Sequence, residues 1–171
     1  MEVEIETTLG CIRAVLHADS APHSCAYFLG LVASGLLDRS HVYRVVTFRN
    51  DKAVGRPHIE VIQMGLRNDN PNAPVVIPHE STAFTGLRHV RGTVSLSRYR
   101  PGAVYGGFFI CYRTEPCLDH GGDRNPDRQG FAAIGSVIEG WPVIDAIYNL
   151  AGEDEYLANP IPVIAVRQWN C

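Results

Sequence analysis

The residues whose side chains could best bind a ligand or take part in catalysis lie in three apolar runs of the chain. Arg44 occurs within the run His-Val-Tyr-Arg-Val-Val, and Gln63 ends the run Ile-Glu-Val-Ile-Gln. The third run contains Phe108 and Phe109, whose side chains point to opposite faces if the run is a strand. An arginine in such a run either faces water or lies in a cleft where it binds a partner. An arginine, an amide and an exposed aromatic ring would form a small binding site if the fold brings the three runs together.

Motifs of covalent, metal or cofactor chemistry are missing from the sequence. There is no G-x-S-x-G elbow, no Walker loop, no G-x-G-x-x-G after a strand and no H-E-x-x-H. The aspartate-rich segment 119–127 suggests calcium, but its spacing is not that of an EF-hand and no glutamate closes it, which favours a surface loop. Cys111, Cys117 and His120 offer three zinc ligands without a fourth at a usual spacing. We therefore expect neither a metal nor a cofactor.

Length, charge and cysteine usage limit the class of protein. The 171 residues predict a single domain, 1–171, and 46% hydrophobic residues are typical of a globular chain. A net charge of −3 argues against a nucleic-acid partner, and no apolar run reaches the 18 or more residues of a membrane span. The acidic amino terminus is unlike a secretory signal, and the five cysteines form no CxxC pair. These features indicate a soluble, cytoplasmic protein with reduced thiols.

Short apolar runs separated by Pro and Gly predict an all-β body with turns. Aromatic and β-branched residues are concentrated in the predicted strands, which are 2–7, 11–16, 42–48, 59–63, 92–97, 108–112, 131–137 and 161–169. In the fourth of these strands, alternation places Ile59, Val61 and Gln63 on one face.

Two helices interrupt the strands. The first is predicted after Pro22, with capping side chains in Asp19 and Ser20 and a stop at Gly35. The second begins at Trp141, and its apolar stripe consists of Val143, Ile144, Ile147 and Leu150. Many strands with two helices indicate a barrel or a sandwich with helical caps, between which periodicity does not choose.

The order of these motifs resembles the cyclophilins, the peptidyl-prolyl cis-trans isomerases, from about residue 4 to residue 166. The segments that carry the resemblance are Thr8–Ile12, Ala21–Pro22, Tyr27–Leu31, Tyr43–Val46, Ile62–Gly65, Gly92–Leu96, Phe108–Cys111, Leu118–Asp119 and Gly135–Gly140. The segment 121–133 is similar to a bacterial branch of that family. Each piece is short, but their order and spacing together make the resemblance specific.

The resemblance implies an all-β fold with two helices, a closed eight-stranded antiparallel barrel capped by α-helices, with an active groove on its outer surface. It implies that Arg44 is the catalytic arginine, that Gln63 holds the substrate backbone and that Phe109 floors the proline pocket. It also implies substrate contacts from Tyr43, Val61, Ser97, Gly107, Cys117, Leu118 and Phe131. The expected partners are proline-containing peptides and protein clients, bound by a monomer without a cofactor.

Several positions depart from the family pattern. A gapless alignment puts Glu60 in place of a groove phenylalanine, next to an insertion at about residues 47–58. Gly107 replaces a glutamine that binds the substrate backbone, and the segment 98–105 replaces an Asn-rich approach. Cys117 replaces a wall tryptophan, which predicts weak or no binding of cyclosporin, and Phe131 replaces a histidine.

These departures leave two functions open. Arg44, Gln63 and Phe109 favour a peptidyl-prolyl isomerase. A cyclophilin-fold protein with an altered groove is favoured by Gly107, Cys117 and the changed segment 98–105. Such a groove would bind proline peptides without isomerising them, or would accept a different small molecule. The surface aromatics Tyr99 and Tyr105 fit equally a partner site and loop residues folded back on the barrel.

Overall fold

The computed structural model describes residues 1–67 and 75–169. In these ranges the chain forms nine strands, all in one antiparallel sheet. The strands are β1 (Glu2–Thr7), β2 (Gly10–Leu16), β3 (His41–Val46), β4 (Val61–Gly65), β5 (Val75–Val76), β6 (Thr93–Arg98), β7 (Ala103–Cys111), β8 (Ala133–Glu139) and β9 (Tyr156–Trp169).

The sheet closes on itself into a barrel. Its strand order is β4-β3-β9-β1-β2-β8-β6-β7, and β4 also pairs with β7, so that eight strands form a ring. The short strand β5 is added outside the ring, on β7. The closed eight-stranded antiparallel barrel implied by the resemblance is thus confirmed.

Two strands begin earlier than the sequence pattern predicts. β7 starts at Ala103 rather than at residue 108, and β9 starts at Tyr156 rather than at residue 161. The added residues have weak apolar alternation, but they pair with strands distant in sequence: Val104 lies opposite Val75, and Tyr156 lies opposite Arg44. Tertiary pairing therefore extends both strands beyond what local propensity indicates.

Both predicted helices are present, as α1 (Pro22–Ala33) and α3 (Trp141–Tyr148). A one-turn helix, α2 (Thr82–Thr85), was not predicted. The assignment of Leu150 to the apolar stripe was wrong, because α3 ends before it and the side chain is 54% exposed. In the parts of the chain that the structure describes, no helix combines the length and apolarity required to cross a bilayer.

The amino terminus of α1 is capped by a distant residue instead of Asp19 or Ser20. Neither side chain makes the capping hydrogen bond. The buried carboxylate of Glu80 accepts the backbone N–H groups of His23, at 3.1 Å, and Ser24, at 2.7 Å. A carboxylate satisfies unpaired N–H groups and complements the positive end of the helix dipole. The segment before α2 thereby anchors α1.

The hydrophobic residues form two clusters on opposite sides of the barrel wall. The larger cluster includes Phe108, whose ring meets Phe28 of α1 edge-on with centroids 5.1 Å apart. The smaller cluster contains Phe109, together with Val46, Ile59, Val61, Cys111 and Leu118. The two phenylalanines point to opposite faces of β7, as alternation predicts.

We expect Glu80→Ala to lower the free energy of unfolding by about 2 kcal/mol, because two helix N–H groups lose a charged acceptor. Urea denaturation at neutral pH measures this change. Glu80→Gln keeps one acceptor oxygen and should fall between the wild type and the alanine variant. Equal stability of all three proteins would contradict the assignment of Glu80 as the cap.

Candidate functional site

A β-bulge at Tyr43 turns Arg44 out of the barrel. The pairing of β3 with both β4 and β9 shifts register between Val42 and Arg44. Val42 and Val45 both belong to the larger core cluster although they are three residues apart, which simple alternation forbids. The extra residue at the bulge lets both valines face the core and leaves Arg44 on the outer face.

The register of the strands then aligns three of the candidate residues, together with Tyr156, across the barrel wall. Tyr156 of β9 lies opposite Arg44 of β3, and Arg44 lies opposite Gln63 of β4. Gln63 lies opposite Phe109 of β7. Directly opposed residues on antiparallel strands share a face, so these side chains form one transverse row. The fold brings together the arginine, the amide and the aromatic ring, which the sequence places far apart.

Arg44, Gln63 and Phe109 of this row line an outer-surface cavity of about 250 Å³, which we call the groove. Seven of the ten proposed site residues line it, namely Arg44, Val61, Gln63, Ser97, Phe109, Leu118 and Phe131. The others that line it are Arg56, Ile59, Arg98, Tyr105, Arg124 and Asn125. Tyr43, Gly107 and Cys117 are not part of the lining.

The guanidinium of Arg44 is held by an acid and an amide. Its Nε and Nη2 donate to one carboxylate oxygen of Glu155, at 2.9 and 2.6 Å. Its Nη1 donates to Oε1 of Gln63 at 3.0 Å. The Tyr156 ring lies 5.7 Å from the guanidinium carbon. Of the five N–H groups of an arginine, the two left over have no acceptor among residues 1–67 and 75–169.

The amide of Gln63 is oriented by its own hydrogen bonds. Its Nε2 donates to Oγ of Ser97 at 3.0 Å and to the hydroxyl of Tyr105 at 2.9 Å. Oε1 accepts from Arg44 and retains a second lone pair. The Gln63 carbonyl therefore faces the arginine, and it keeps capacity to accept a peptide N–H.

Tyr105 occupies the space where position 107 would carry a side chain. A Cβ on Gly107 would approach the Tyr105 ring to 2.5 Å, closer than carbon atoms allow. Burial raises the pKa of Tyr105, which remains a neutral hydroxyl near pH 7. The ring contacts that of Tyr99 in a tilted arrangement, with centroids 4.9 Å apart, and Tyr99 stays 47% exposed. The sequence left open whether Tyr99 and Tyr105 form a partner site or fold back on the barrel. For Tyr105, the structure shows that the side chain folds back on the barrel.

The apolar part of the groove is built around Phe109. The Phe131 ring meets it edge-on at 5.3 Å, and the His89 ring stacks on it at 6.1 Å. Hydrogen bonds to Asp119, at 2.7 Å, and to Ser95, at 3.0 Å, hold that histidine. Phe109 is only 5% exposed, so it forms a fixed, apolar floor.

Two of the departures from the family pattern, Glu60 and Cys117, lie outside the groove lining. Glu60 points away from the groove, where its carboxylate accepts the Tyr148 hydroxyl and pairs with Arg113 at 2.9 Å. Ile59 lines the groove instead, on the face it shares with Val61. Cys117 packs beside the smaller cluster, and burial raises the pKa of its thiol to about 11.

The segment 47–58, which contributes Arg56 to the groove lining, is firmly anchored. The Asn50 side chain donates to the carbonyls of Val45, Gly152 and Asp154 at 3.0–3.2 Å. The Asp51 carboxylate, whose side chain is 0% exposed, pairs with Arg124 at 2.7 Å. Burial alone would raise the pKa of Asp51, but hydrogen bonds from Arg124 and from two backbone N–H groups hold it below its usual value.

The aspartates of segment 119–127 have protein partners. Asp119 pairs with His89, Asp123 with Arg128 at 3.2 Å, and Asp127 with Arg98 at 2.8 Å. Among the described residues no group of three or more metal-ligating side chains converges. The four described cysteines are free, and Cys171 lies outside the described residues.

Comparisons with known proteins agree with this architecture. A family model described as cyclophilin type peptidyl-prolyl cis-trans isomerase/CLD matches residues 2–168. The chain is 30% identical to peptidyl-prolyl cis-trans isomerase cyp18 of Streptomyces antibioticus, over 85% of this chain and 81% of that one. It is 29% identical to peptidyl-prolyl cis-trans isomerase A of Dickeya dadantii, over 89% and 73% of the two chains.

Solved structures show the same fold. A cyclophilin type peptidyl-prolyl cis-trans isomerase of Cryptosporidium parvum, crystallised in the presence of the dipeptide Ala-Pro, superposes with a TM-score of 0.78 at 19% identity, covering 100% of both chains. The chain belongs to the cyclophilin-type peptidyl-prolyl cis-trans isomerase family, as its sequence motifs indicated.

Sequence reasoning missed Glu155 and assigned no role to Tyr105 in the groove. Glu155 lies in a short acidic segment, Glu-Asp-Glu, that resembles a solvated loop. Local patterning gives no signal for it, because the predicted strand begins only at residue 161, and only the pairing of Tyr156 with Arg44 shows which arginine it meets.

We expect Asp51→Asn to destabilise the protein by about 3 kcal/mol at pH 7, because it leaves the Arg124 charge without its buried partner. The lowered pKa means that this contribution is present above the ordinary aspartate value of about 3.9 and is lost as pH falls below it. The difference from the wild type in urea denaturation should therefore shrink at about pH 2.5. Asp123→Asn, at an exposed pair, is the control and should cost about 0.5 kcal/mol or less. A pH-independent difference would contradict this role of Asp51.

Proposed function

We propose that this protein accelerates cis-trans isomerisation of X-Pro bonds in peptides and proteins, and that Arg44 is its catalytic residue. The observation that carries the proposal is the transverse row, in which a guanidinium with two N–H groups that bond to no described residue lies beside an oriented amide and an apolar floor. The relatives named as peptidyl-prolyl cis-trans isomerases support it.

The chemical problem is the double-bond character of the amide. Resonance gives the C–N bond a rotation barrier of roughly 18–20 kcal/mol, so uncatalysed X-Pro exchange takes tens to hundreds of seconds. In the twisted transition state the resonance is lost, and the proline nitrogen gains a lone pair that accepts a hydrogen bond. No bond is made or broken, and no proton or electron is transferred.

A fixed hydrogen-bond donor at that nitrogen lowers the barrier. The free N–H groups of Arg44 stabilise the twisted form more than either planar form, and such differential binding is what catalysis requires. Phe109, Leu118 and Phe131 surround the proline ring in an apolar pocket. The Gln63 carbonyl accepts an N–H of the substrate backbone while the carbonyl before the proline rotates.

Glu155 acts as the positioning residue for Arg44. Two N–H groups of the guanidinium converge on one of its oxygens, and the other oxygen accepts the backbone N–H of Lys52 at 3.0 Å. The carboxylate thus links the arginine to the inserted segment 47–58. Holding the donor in place before the substrate arrives avoids reorganisation during the reaction.

A second candidate function is a module that binds proline peptides without isomerising them. It is favoured by Gly107, which supplies no side-chain amide, and by the two N–H groups of Gln63, which are already donated within the protein. Exchange NMR separates the two functions, because it reports peptide binding and isomerisation in the same sample.

We expect Arg44→Ala to lower the catalysed exchange of a short Ala-Pro peptide by 100-fold or more, as the loss of one preorganised donor does in other enzymes. Arg44→Lys keeps the charge but loses the planar fork, and it should retain a small part of the activity. Unchanged exchange in the alanine variant would overturn the role of Arg44. Binding without exchange in the wild type would establish the binding module instead.

We expect Glu155→Gln to reduce the exchange rate of the bound peptide about tenfold with little change in peptide affinity, because the arginine loses its charged anchor. The ¹⁵N resonance of Arg44 Nε should shift, whereas the free energy of unfolding should change little. Asp154→Asn is the matched control, since Asp154 is exposed and contacts Lys52 instead. A reduced affinity at an unchanged exchange rate would contradict a positioning role.

A further inference from the structure

The groove has an unusual distribution of charge. Four arginines line it, namely Arg44, Arg56, Arg98 and Arg124, and no aspartate or glutamate is among its lining residues. The chain as a whole is acidic, with a net charge of −3. The lining of the groove is therefore positive although the chain is acidic.

The charges of three of these arginines are neutralised by carboxylates that lie outside the groove lining. Arg44 pairs with Glu155, Arg98 with Asp127 and Arg124 with Asp51, at 2.6–2.8 Å. These three carboxylates contact the guanidinium groups without joining the lining of the groove. They fix the arginines in place and cancel three of the four charges.

The uncompensated charge is that of Arg56. Its side chain is exposed, and no hydrogen bond or ion pair connects it to any residue in the ranges 1–67 and 75–169. Its backbone is nonetheless held. The next residue, Pro57, accepts a hydrogen bond from Arg124 at 2.8 Å through its carbonyl, and the Asp51 carboxylate binds the N–H groups of Ala53 and Ile59, both at 3.0 Å. The anchored segment 47–58 thus presents at the groove a cation that has no partner among the described residues.

We infer that the groove prefers X-Pro segments with an acidic side chain near the proline, and that Arg56 is the residue that recognises the carboxylate. The inference rests on the proposed function, since it names the substrate class of the same groove. An arginine binds a carboxylate in a bidentate manner, and a pair at an exposed position is worth about a threefold change in affinity. Because the site faces solvent, salt should weaken the preference.

The test uses two peptide sets, Ala-Xaa-Pro-Ala-Ala and Ala-Ala-Pro-Xaa-Ala, in which Xaa is Glu, Gln or Lys. Exchange NMR of the full chain yields both the dissociation constant and the catalysed exchange rate for each peptide. In at least one set we expect the Glu peptide to bind about threefold more tightly than the Gln peptide and the Lys peptide more weakly than either. Raising the salt concentration to about 0.5 M should reduce these ratios.

Charge reversal identifies the residue. Arg56→Glu should invert the order, so that the Lys peptide binds more tightly than the Glu peptide. Arg49→Glu is the matched control, because Arg49 is an exposed arginine of the same segment that lines a different cavity and should leave the order unchanged. Equal binding of all three peptides in both sets would overturn the inference, as would inversion by Arg49→Glu.

The outcomes distinguish this inference from the proposed function. Exchange of the Gln peptides with no charge preference upholds the isomerase and overturns the acidic preference. A charge preference in the dissociation constants without catalysed exchange supports the acidic preference and overturns the isomerase.

Discussion

The pairing of β4 with β7, which closes the barrel, is the constraint on which the groove depends. It fixes Gln63 opposite Phe109, while the pairing of β3 with β4 fixes Arg44 opposite Gln63. A slip of one residue in either register would turn one of these side chains into the core. The bulge at Tyr43 is part of the same constraint, because it lets β3 contribute valines to the core and an arginine to the outer face.

The polar half of the groove is a chain of hydrogen bonds that is complete before any substrate binds. It runs from Glu155 through Arg44 and Gln63 to Ser97 and Tyr105. Each member orients the next, so that the free N–H groups of the arginine point in fixed directions. The apolar half is equally fixed, because Phe109 is clamped between two rings. A preorganised donor beside a rigid pocket suits a reaction whose only requirement is stabilisation of a twisted amide.

Substitutions in the groove are accommodated by neighbouring residues. Ile59 supplies the apolar surface that Glu60 does not, and the Tyr105 ring fills the space beside Gly107. The segment 47–58 contributes Arg56 to the groove lining and is held in place by Asn50 and Asp51. It supports the anchor of Arg44 through Lys52 and also carries Arg56, so one segment connects the proposed catalysis with the proposed selectivity.

The sequence by itself determined the class of fold, most of the strands, both main helices and the alternation that separates Phe108 from Phe109. Those features depend on local periodicity and on motifs whose order is specific to the family. Only the tertiary structure decided the early start of β7 and β9, the cap from Glu80, the orientation of Glu60 away from the groove and the pairing of Arg44 with Glu155. Each of these joins residues that are distant in the chain. Sequence patterns report which face a residue prefers, whereas the partner it meets there is set by strand register across a closed barrel.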